Sequence, residues 1–366
     1  MKPPLTRRSF LTRSATLAAA AVALPEFTLA PSAKAATRLP VVGTGAHTYE
    51  CVHDWLLPPE GMVWGETHGL AQDAEGSIYV AHTVNRASMR PETVVVYDAS
   101  GNFKRTFGAE FRGGAHGLDL RREGGTEFLY HCDTNRCMVV KTTLAGEVVW
   151  SHGYPREDPA YAARPIPFVP TNVAFAPNGD FFVGDGYGSH RVLKFSASGT
   201  FLGEIGQPAP AVPAGQPATT ELPAVAFREP HGLWVDTRGA EPVLVVGDRR
   251  NNRVQTFTLD GKLLRTITDP TRLRLPCHFD TRGDWMVCAD LDSQVCILDR
   301  DHTVVAQLGD GQARNGRVGS RRNQARSEFT PGQFITPHDA IFLANGDILV
   351  AEYLPIGRIT LLRRTA

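Results

Sequence analysis

The chain has 366 residues, 42% hydrophobic and 21% charged, proportions that suit one large globular domain or two small ones. Five of its 38 cationic side chains but one of its 38 anionic ones lie in the first 35 residues, so a formal net charge of zero becomes −4 beyond them. A chain with no basic surplus offers no face for phosphates, and nucleic acid is excluded as the expected partner.

The first 35 residues read as an address. "TRRSFLT" (Thr6 to Thr12) places paired arginines ahead of Phe10 and Leu11, the pattern of a twin-arginine export signal. The apolar run "LAAAAVAL" (Leu17 to Leu24) is too short to span a bilayer, and "AKA" (Ala33 to Ala35) fits a small-residue cleavage site. An ordinary Sec signal is the alternative. Residues 1–35 are expected to be removed, leaving 36–366 as a single domain in the periplasm or outside the cell. The twin-arginine route carries folded proteins, so a metal would be chosen in the cytoplasm. No later apolar stretch is long enough to span a membrane, and none is expected to touch one after cleavage.

From about residue 65 one unit recurs six times, led by His68, His116, Asn172, His231, His278 and His338 at spacings of 48, 56, 59, 47 and 60. Each copy opens on a short apolar strand. A glycine turn follows ("AEG", "PNG", "ANG"), then a β-branched and aromatic strand that ends near an acid or histidine ("SIYVAH", "DFFVGD", "VLVVGD", "DILVAE"). A third strand carries Arg or Val before an apolar alternation ("HRVLKFSASG", "NRVQTFTLDG"), and a fourth runs out through a turn ("FLGEIG", "VVAQLG"). Alternation bounded by Gly, Asn and Asp signals strands, and no long helical period interrupts it. Four strands in each of six copies predict an all-β fold, a six-bladed β-propeller. The sixth copy stops after its third strand, while "AHTYECVHDWL" (Ala46 to Leu56) stands spare before the first. That N-terminal segment is expected to complete the last blade and close the ring, hiding two sheet edges.

Two insertions, Gly206 to Pro223 and Gly309 to Phe329, join a fourth strand to the next first strand. Both therefore belong on the face where the leading histidines sit. The first is proline-rich and expected to be extended. The second carries Arg314, Arg317, Arg321, Arg322 and Arg326, either to meet an anion at the channel mouth or as a solvated basic loop. Six cysteines lie after the signal. Export permits disulfides, and Cys132 with Cys137, like Cys288 with Cys296, flanks a turn. No CxxC pair or structural-zinc spacing occurs, so buried thiols with at most one or two bridges are expected.

In a propeller the first strand of each blade lines the central channel, so the six leading positions form a ring. Alternate blades stand a third of a turn apart, which lets three imidazoles meet on one ion. Three histidines with an open fourth position are the pattern of a catalytic zinc, although neutral imidazole also suits copper, iron or nickel. Blades two, four and six give His116, His231 and His338. Blades one, three and five give His68, Asn172 and His278, with two imidazoles only. The even triad is the better site, and His68 and His278 are left as a second ring. The competing reading is that these histidines hydrogen-bond neighbouring blades at a wet channel mouth.

Four segments, "AHGLDL", "VPTNVAFAPNGDFFVGDGYGSHRVLKFSASG", "EPHGLWVD...VGDRRNNRVQTF" and "TPHDAIFLANGDILVAE", carry a resemblance across blades two to six. They resemble the NHL-repeat propellers and, among these, the peptidyl-α-hydroxyglycine α-amidating lyases (peptidylamidoglycolate lyases). The resemblance implies zinc on His116, His231 and His338, the triad that symmetry also selects. It implies that Tyr187 of "DGYG" acts on a substrate hydroxyl, with Arg249 of "GDRR" supplying charge. It further implies a structural calcium near the axis, held by the Asp339 carboxylate and the carbonyls of Leu118 and Leu70, since calcium prefers such oxygen ligands. The reaction implied is metal-assisted cleavage of a carbinolamide to an aldehyde acid and an amide. This chain departs from the family at the end of the second strand in blade one, where His82 and Thr83 replace an arginine and Arg86 or Arg90 would have to substitute. Gly188 stands for a cysteine and Thr336 for a methionine.

Two functions from different classes follow. One is an exported, metal-dependent carbon–nitrogen lyase taking a small-molecule or peptide ligand at the channel mouth. The other is a non-catalytic NHL propeller that binds a peptide, glycan or partner protein on its upper face. Lactone hydrolysis, known in other six-bladed metal propellers, is disfavoured by the imidazoles. Oligomeric state is not legible.

Overall fold

Each repeat folds as an antiparallel sheet of four strands, because its apolar runs are short, β-branched and cut by Gly, Asn and Asp turns. The computed structural model describes residues 38–153, 155–156, 159–163, 166–210, 223–312 and 321–365. The expected export signal, most of the proline-rich insertion, and Arg314 and Arg317 lie outside the described residues.

The inner strands are Thr67–Gln72, Ala115–Glu123, Asn172–Phe175, Pro230–Asp236, Pro276–Arg282 and Pro337–Phe342. The second strands are Ile78–His82, Thr126–Asp133, Phe181–Asp185, Val243–Asp248, Trp285–Asp290 and Ile348–Glu352. These six sheets are the blades of a propeller. The last sheet runs Val41–Thr44, His47–Val52, Arg358–Arg364, Ile348–Glu352, Pro337–Phe342. The N-terminal segment thus closes the ring, with Cys51 opposite Leu362 and Val52 opposite Leu361. One strand more than anticipated, Val41–Thr44, covers the closing strand's free edge.

Blades stack face to face, so second strands are buried on both sides; Ile78–His82 and Ile348–Glu352 are buried throughout. The outer strand Val304–Leu308 alternates instead, with Val304, Ala306 and Leu308 inward. The core therefore lies between blades. One such cluster joins Val287 and Ile297 of blade five to Ile348 and Val350 of blade six, together with Val42, Tyr49 and Cys51 of the closing hairpin.

In blades three to six the acid that ends the second strand is a latch on the loop before the inner strand. Asp290 accepts from the Arg274 and Leu275 amides at 2.6 and 2.8 Å, Glu352 from the Ile335 amide at 2.8 Å, and Asp185 from the Val169 amide at 2.6 Å. In blade one His82 does the same through Nδ1, which accepts from Gly65 N at 3.1 Å. A buried carboxylate with several N–H donors is fully satisfied, and the latched loop delivers the next inner strand to the channel at a fixed height.

All six cysteines are free, including Cys288 and Cys296, which face each other in register on adjacent strands. Outside the blades, Gln207–Pro208 pairs in parallel with Ala226–Phe227, and a single helical turn spans Pro159–Ala162. No helix among the described residues is long and apolar enough to cross a membrane.

Candidate active site

Strand register decides which residue enters the ring. The residue opposite the last of the second strand is Thr67, Ala115, Pro230, Pro276 and Pro337 in blades one, two, four, five and six. The next residue points to the channel mouth: His68, His116, His231, Cys277 and His338. In blade three Asn172 pairs with Gly184, the register that His278 holds with Ala289 and Asp339 with Ala351, so the ring residue there is Thr171. The expectation that Asn172 and His278 belong to the ring is thus corrected by one position. A one-residue shift carries a strand side chain to a different place, and His278 opens instead on the cavity at the opposite end of the channel.

The even imidazoles are brought together. Ring centroids of His116, His231 and His338 lie 4.7 to 4.9 Å apart, a nearly equilateral triangle. Each is aimed by the blade that follows it. Nδ1 of His116 donates to the Thr171 carbonyl (2.8 Å), that of His231 to Cys277 (2.8 Å), and that of His338 to His68 (2.9 Å). Glycine follows the first two histidines because a Cβ at Gly117 or Gly232 would sit 2.4 or 2.5 Å from those same carbonyls. The carbonyl fixes the tautomer and leaves Nε2 as the free lone pair, the arrangement of metal-ligating histidines. His338 Nε2 is buried with no partner among the described residues.

Other groups of metal-binding atoms also meet here. The donor atoms of His68, His116 and His338 lie within 4.8 Å of one another, as do those of His231, Cys277 and His338. His68 stacks on His116 at 4.8 Å, and its buried Nδ1 lacks a partner. Burial pushes the Cys277 thiol up to about 12 against the pull of Arg249, so it is protonated. Burial also holds the imidazoles neutral, His116 down to about 3 and His231 and His338 well below their usual range, with Arg249 and the neighbouring imidazoles adding to the shift of the latter two. Neutral, carbonyl-anchored and facing one point, these residues fit a divalent transition metal.

The axial carboxylate fits calcium less well. Asp339 Oδ2 accepts from the Leu70 amide at 2.7 Å, so the described contact of Leu70 is made through its N–H rather than its carbonyl. His278 stands between two carboxylates, Nδ1 2.5 Å from Asp339 Oδ1 and Nε2 3.4 Å from Asp119 Oδ1. Burial alone would lower its pKa, but these two acids outweigh burial and raise it well above the usual value. Asp339 Oδ1 and His278 Nδ1 are both buried with no hydrogen-bond partner among the described residues. Leu118 is buried on the neighbouring inner strand.

Tyr187 and Arg249 meet the triad from above. The Tyr187 hydroxyl is 2.9 Å from His231 Nε2, 3.2 Å from His116 Nε2 and 3.1 Å from Arg249 Nη2. The residue is 38% exposed at the mouth while the hydroxyl reaches the imidazoles. Burial pushes the phenol up to about 12, with Arg249 pulling the other way. Arg249 is held by Glu229 at 2.8 Å, a residue in the left-handed region at φ 56, uncommon for a side chain with a Cβ.

The cavity above the imidazoles has a volume of about 470 Å³. A simple rule supplies its wall: the residue just past each second strand, Thr83, Thr134, Arg249, Leu291 or Tyr353, and in blade three Tyr187 two past it. Only Tyr187 and Arg249 of these stood out in the sequence. Arg86 and Arg90 do not line this cavity; Arg90 is tied to Glu92 at 3.2 Å. Arg322 of the second insertion does line it, beside Glu66 and Tyr353, and Arg326 is instead paired with Asp54 outside it.

No family model matches the chain. It is 24% identical over 324 residues to a probable peptidyl-alpha-hydroxyglycine alpha-amidating lyase of Caenorhabditis elegans, spanning 82% of this chain and 83% of the relative. It is 25% identical over 342 residues to peptidyl-alpha-hydroxyglycine alpha-amidating lyase 1 of Drosophila melanogaster, spanning 85% of this chain but 59% of that relative. Among solved structures, a streptogramin B lyase superposes with TM-score 0.54 at 15% identity, covering 86% of this chain and 98% of that one. The virginiamycin B lyase of Staphylococcus aureus superposes with TM-score 0.52 at 10% identity, covering 86% and 99%. The sequence relatives are distant lyases by name, and the structural ones share the propeller fold.

Proposed function

We propose that the chain is a metal-dependent lyase of the peptidyl-α-hydroxyglycine amidating type, breaking the C–N bond of a carbinolamide at the mouth of the propeller. The observation that carries this reading is the meeting of one phenol with two carbonyl-anchored imidazoles and a guanidinium, Tyr187 with His231, His116 and Arg249 at 2.9, 3.2 and 3.1 Å.

His116, His231 and His338 would hold the metal. A divalent ion bound there would acidify a substrate hydroxyl and neutralise the developing alkoxide. Arg249 places a fixed positive charge beside the Tyr187 oxygen, favouring its ionised form against the burial that opposes it. Tyr187 is then the base that takes the hydroxyl proton. The oxygen's electron pair forms the aldehyde C=O, the C–N bond breaks, and the leaving amide nitrogen collects a proton. Cys277 and Thr171 keep the imidazoles aimed through their carbonyls, and Glu229 keeps Arg249 from turning away.

The test is cleavage of an N-acyl-α-hydroxyglycine by the purified chain, with metal content measured beside it. Release of the amide together with a stoichiometric divalent metal, both lost in His231→Ala, is expected. Metal content near zero, or full activity in the Tyr187→Phe, His116→Ala double variant, overturns the proposal.

A further inference from the structure

The inner strands turn a second set of side chains to the channel beyond the ring. Three residues past each ring position stand Ala71, Asp119, Ala174, Trp234, Asp280 and Ile341, and all six line the cavity at the opposite end of the channel. At about 600 Å³ this cavity is larger than the one above the imidazoles, and it falls in the range of small-molecule sites. Alanine at two of the six places leaves that room. Phe175 and Phe342, one residue further along their strands, add aromatic wall to that of Trp234.

The carboxylates here differ in what they have left to accept. Asp119 gives Oδ2 to the Asn172 amide at 2.7 Å and turns Oδ1 to His278 at 3.4 Å. Asp73 accepts from Ser77 N at 2.7 Å and from the Tyr79 hydroxyl at 2.9 Å. Asp280 accepts only from two backbone amides, those of Thr281 and Phe342, one on each oxygen and both at 2.7 Å. Each of those oxygens has room for a second bond, and no cationic side chain among the described residues pairs with either. The arginines of the lining are turned elsewhere. Arg121 lies 5.1 Å over the Phe175 ring, Arg282 donates to the Ala344 carbonyl at 3.1 Å, and Arg122 is exposed. Trp234 and Asp280 are both partly open, and Trp234 Nε1 is buried with no partner among the described residues.

We infer that this lower cavity is a second ligand site, which takes a primary ammonium group on an aromatic or aliphatic body, with Asp280 as its counter-charge and Trp234 as the face on which it rests. An ammonium brings three donors to a carboxylate with unspent capacity, and charge-assisted bonds of this kind are the strong ones. Indole is the best side-chain partner for a cation. The apolar body displaces water from Phe175, Phe342 and Ile341. The lower cavity shares no lining residue with the one above the imidazoles, so the inference does not rest on the lyase reading.

The experiment titrates the purified protein at pH 7.5 with phenethylamine and with its neutral counterpart, phenethyl alcohol, by calorimetry. The wild type is expected to bind the amine about tenfold or more tighter than the alcohol. Asp280→Asn should bring the two together, Trp234→Leu should weaken the amine more than the alcohol, and Tyr187→Phe should change neither. Equal affinities in the wild type, binding of neither ligand, or a preference untouched by Asp280→Asn overturns the inference. If that variant does not fold, an amine affinity unchanged in Trp234→Leu does so. Loss of the amine in Tyr187→Phe would put the ligand in the upper cavity and overturn the lower site.

Discussion

His278 and Asp339 form a buried contact across two blades, Nδ1 to Oδ1 at 2.5 Å, and the far side of the same ring faces Asp119 at 3.4 Å. The imidazole separates two carboxylates that would otherwise confront each other in a low-dielectric channel. Replacing it by alanine leaves both carboxylates without a counter-charge, though Leu70 and Asn172 still donate to them, and breaking such a buried pair costs about 3–5 kcal/mol. His278→Ala is therefore expected to lower the unfolding midpoint sharply while leaving transition-metal content at the mouth unchanged. Chelating calcium from the wild-type protein with EGTA should not shift its melting temperature. A large fall on EGTA treatment, reversed by calcium, would show that an ion rather than His278 ties the axis.

The Tyr187 hydroxyl touches two imidazoles and Arg249, but no carbonyl fixes it and its ring stands at the open mouth. Removing the oxygen in Tyr187→Phe should spare both fold and metal content. A positioned acid or base contributes about 10²–10⁴-fold, so kcat should fall by that much with KM nearly unchanged. Steady-state kinetics with metal analysis on the same preparation checks this; loss of the metal along with activity would make Tyr187 a structural lid on the site.

Much of this was legible because propeller repeats are periodic. Six leading positions, six glycine turns and an acid or histidine at the end of each second strand report blade number directly, and the spare strand before the first copy reports closure. The even triad was legible for the same reason, since His116, His231 and His338 recur in three blades. Blade three and blade five misled because "PTNV" and "PCHF" place a conspicuous Asn172 and His278 one residue beyond the ring. Only pairing register, shifted on the inner strand between Pro276 and His278, separates Cys277 from its neighbour. Arg322 was one of five arginines that the sequence offered for the channel mouth, and Tyr353 was not singled out. Tyr353 follows Glu352 as Arg249 follows Asp248, a signal present but unused, whereas the repeat puts the second insertion on the histidine face without saying which of its arginines reaches the cavity.

Closure of the ring should be measurable in graded steps. Val41–Thr44 pairs only with the closing strand at the rim, whereas His47–Val52 is hydrogen-bonded into the last blade and sends Tyr49 and Cys51 into the core, 3% and 1% exposed. A chain that begins at residue 45 should lose a modest part of its stability. One lacking residues 46–56 as well loses the outer strand and exposes the edge of Arg358–Arg364, and should melt far lower or aggregate. Tyr49→Ala alone should cost about 3–5 kcal/mol, as for a buried aromatic residue. Equal melting temperatures for the two truncations would show that the ring does not depend on the closing strand.

Acid should unfold the propeller through histidines outside the cavity wall. Burial holds His82 and His131 down to about 3, and His53 likewise, with Arg358 adding to the burial of the last. His131 packs on Phe111 with ring centroids 4.5 Å apart, and its Nε2 lies 2.9 Å from the Thr142 hydroxyl. Folded, each ring stays neutral; unfolded, each takes a proton once the pH drops below about 6.5, the ordinary histidine value. Unfolding therefore binds protons between about 6.5 and 3, and stability is full above that window and lost as pH falls through it. Each such histidine should steepen the loss by about 1.4 kcal/mol per pH unit. Urea unfolding at pH 7.5, 6, 5 and 4.5 is the measurement. His131→Gln, which keeps a partner for Thr142 but does not titrate, should flatten the slope by up to one proton. An unchanged slope in that variant would mean that His131 is already charged in the folded chain.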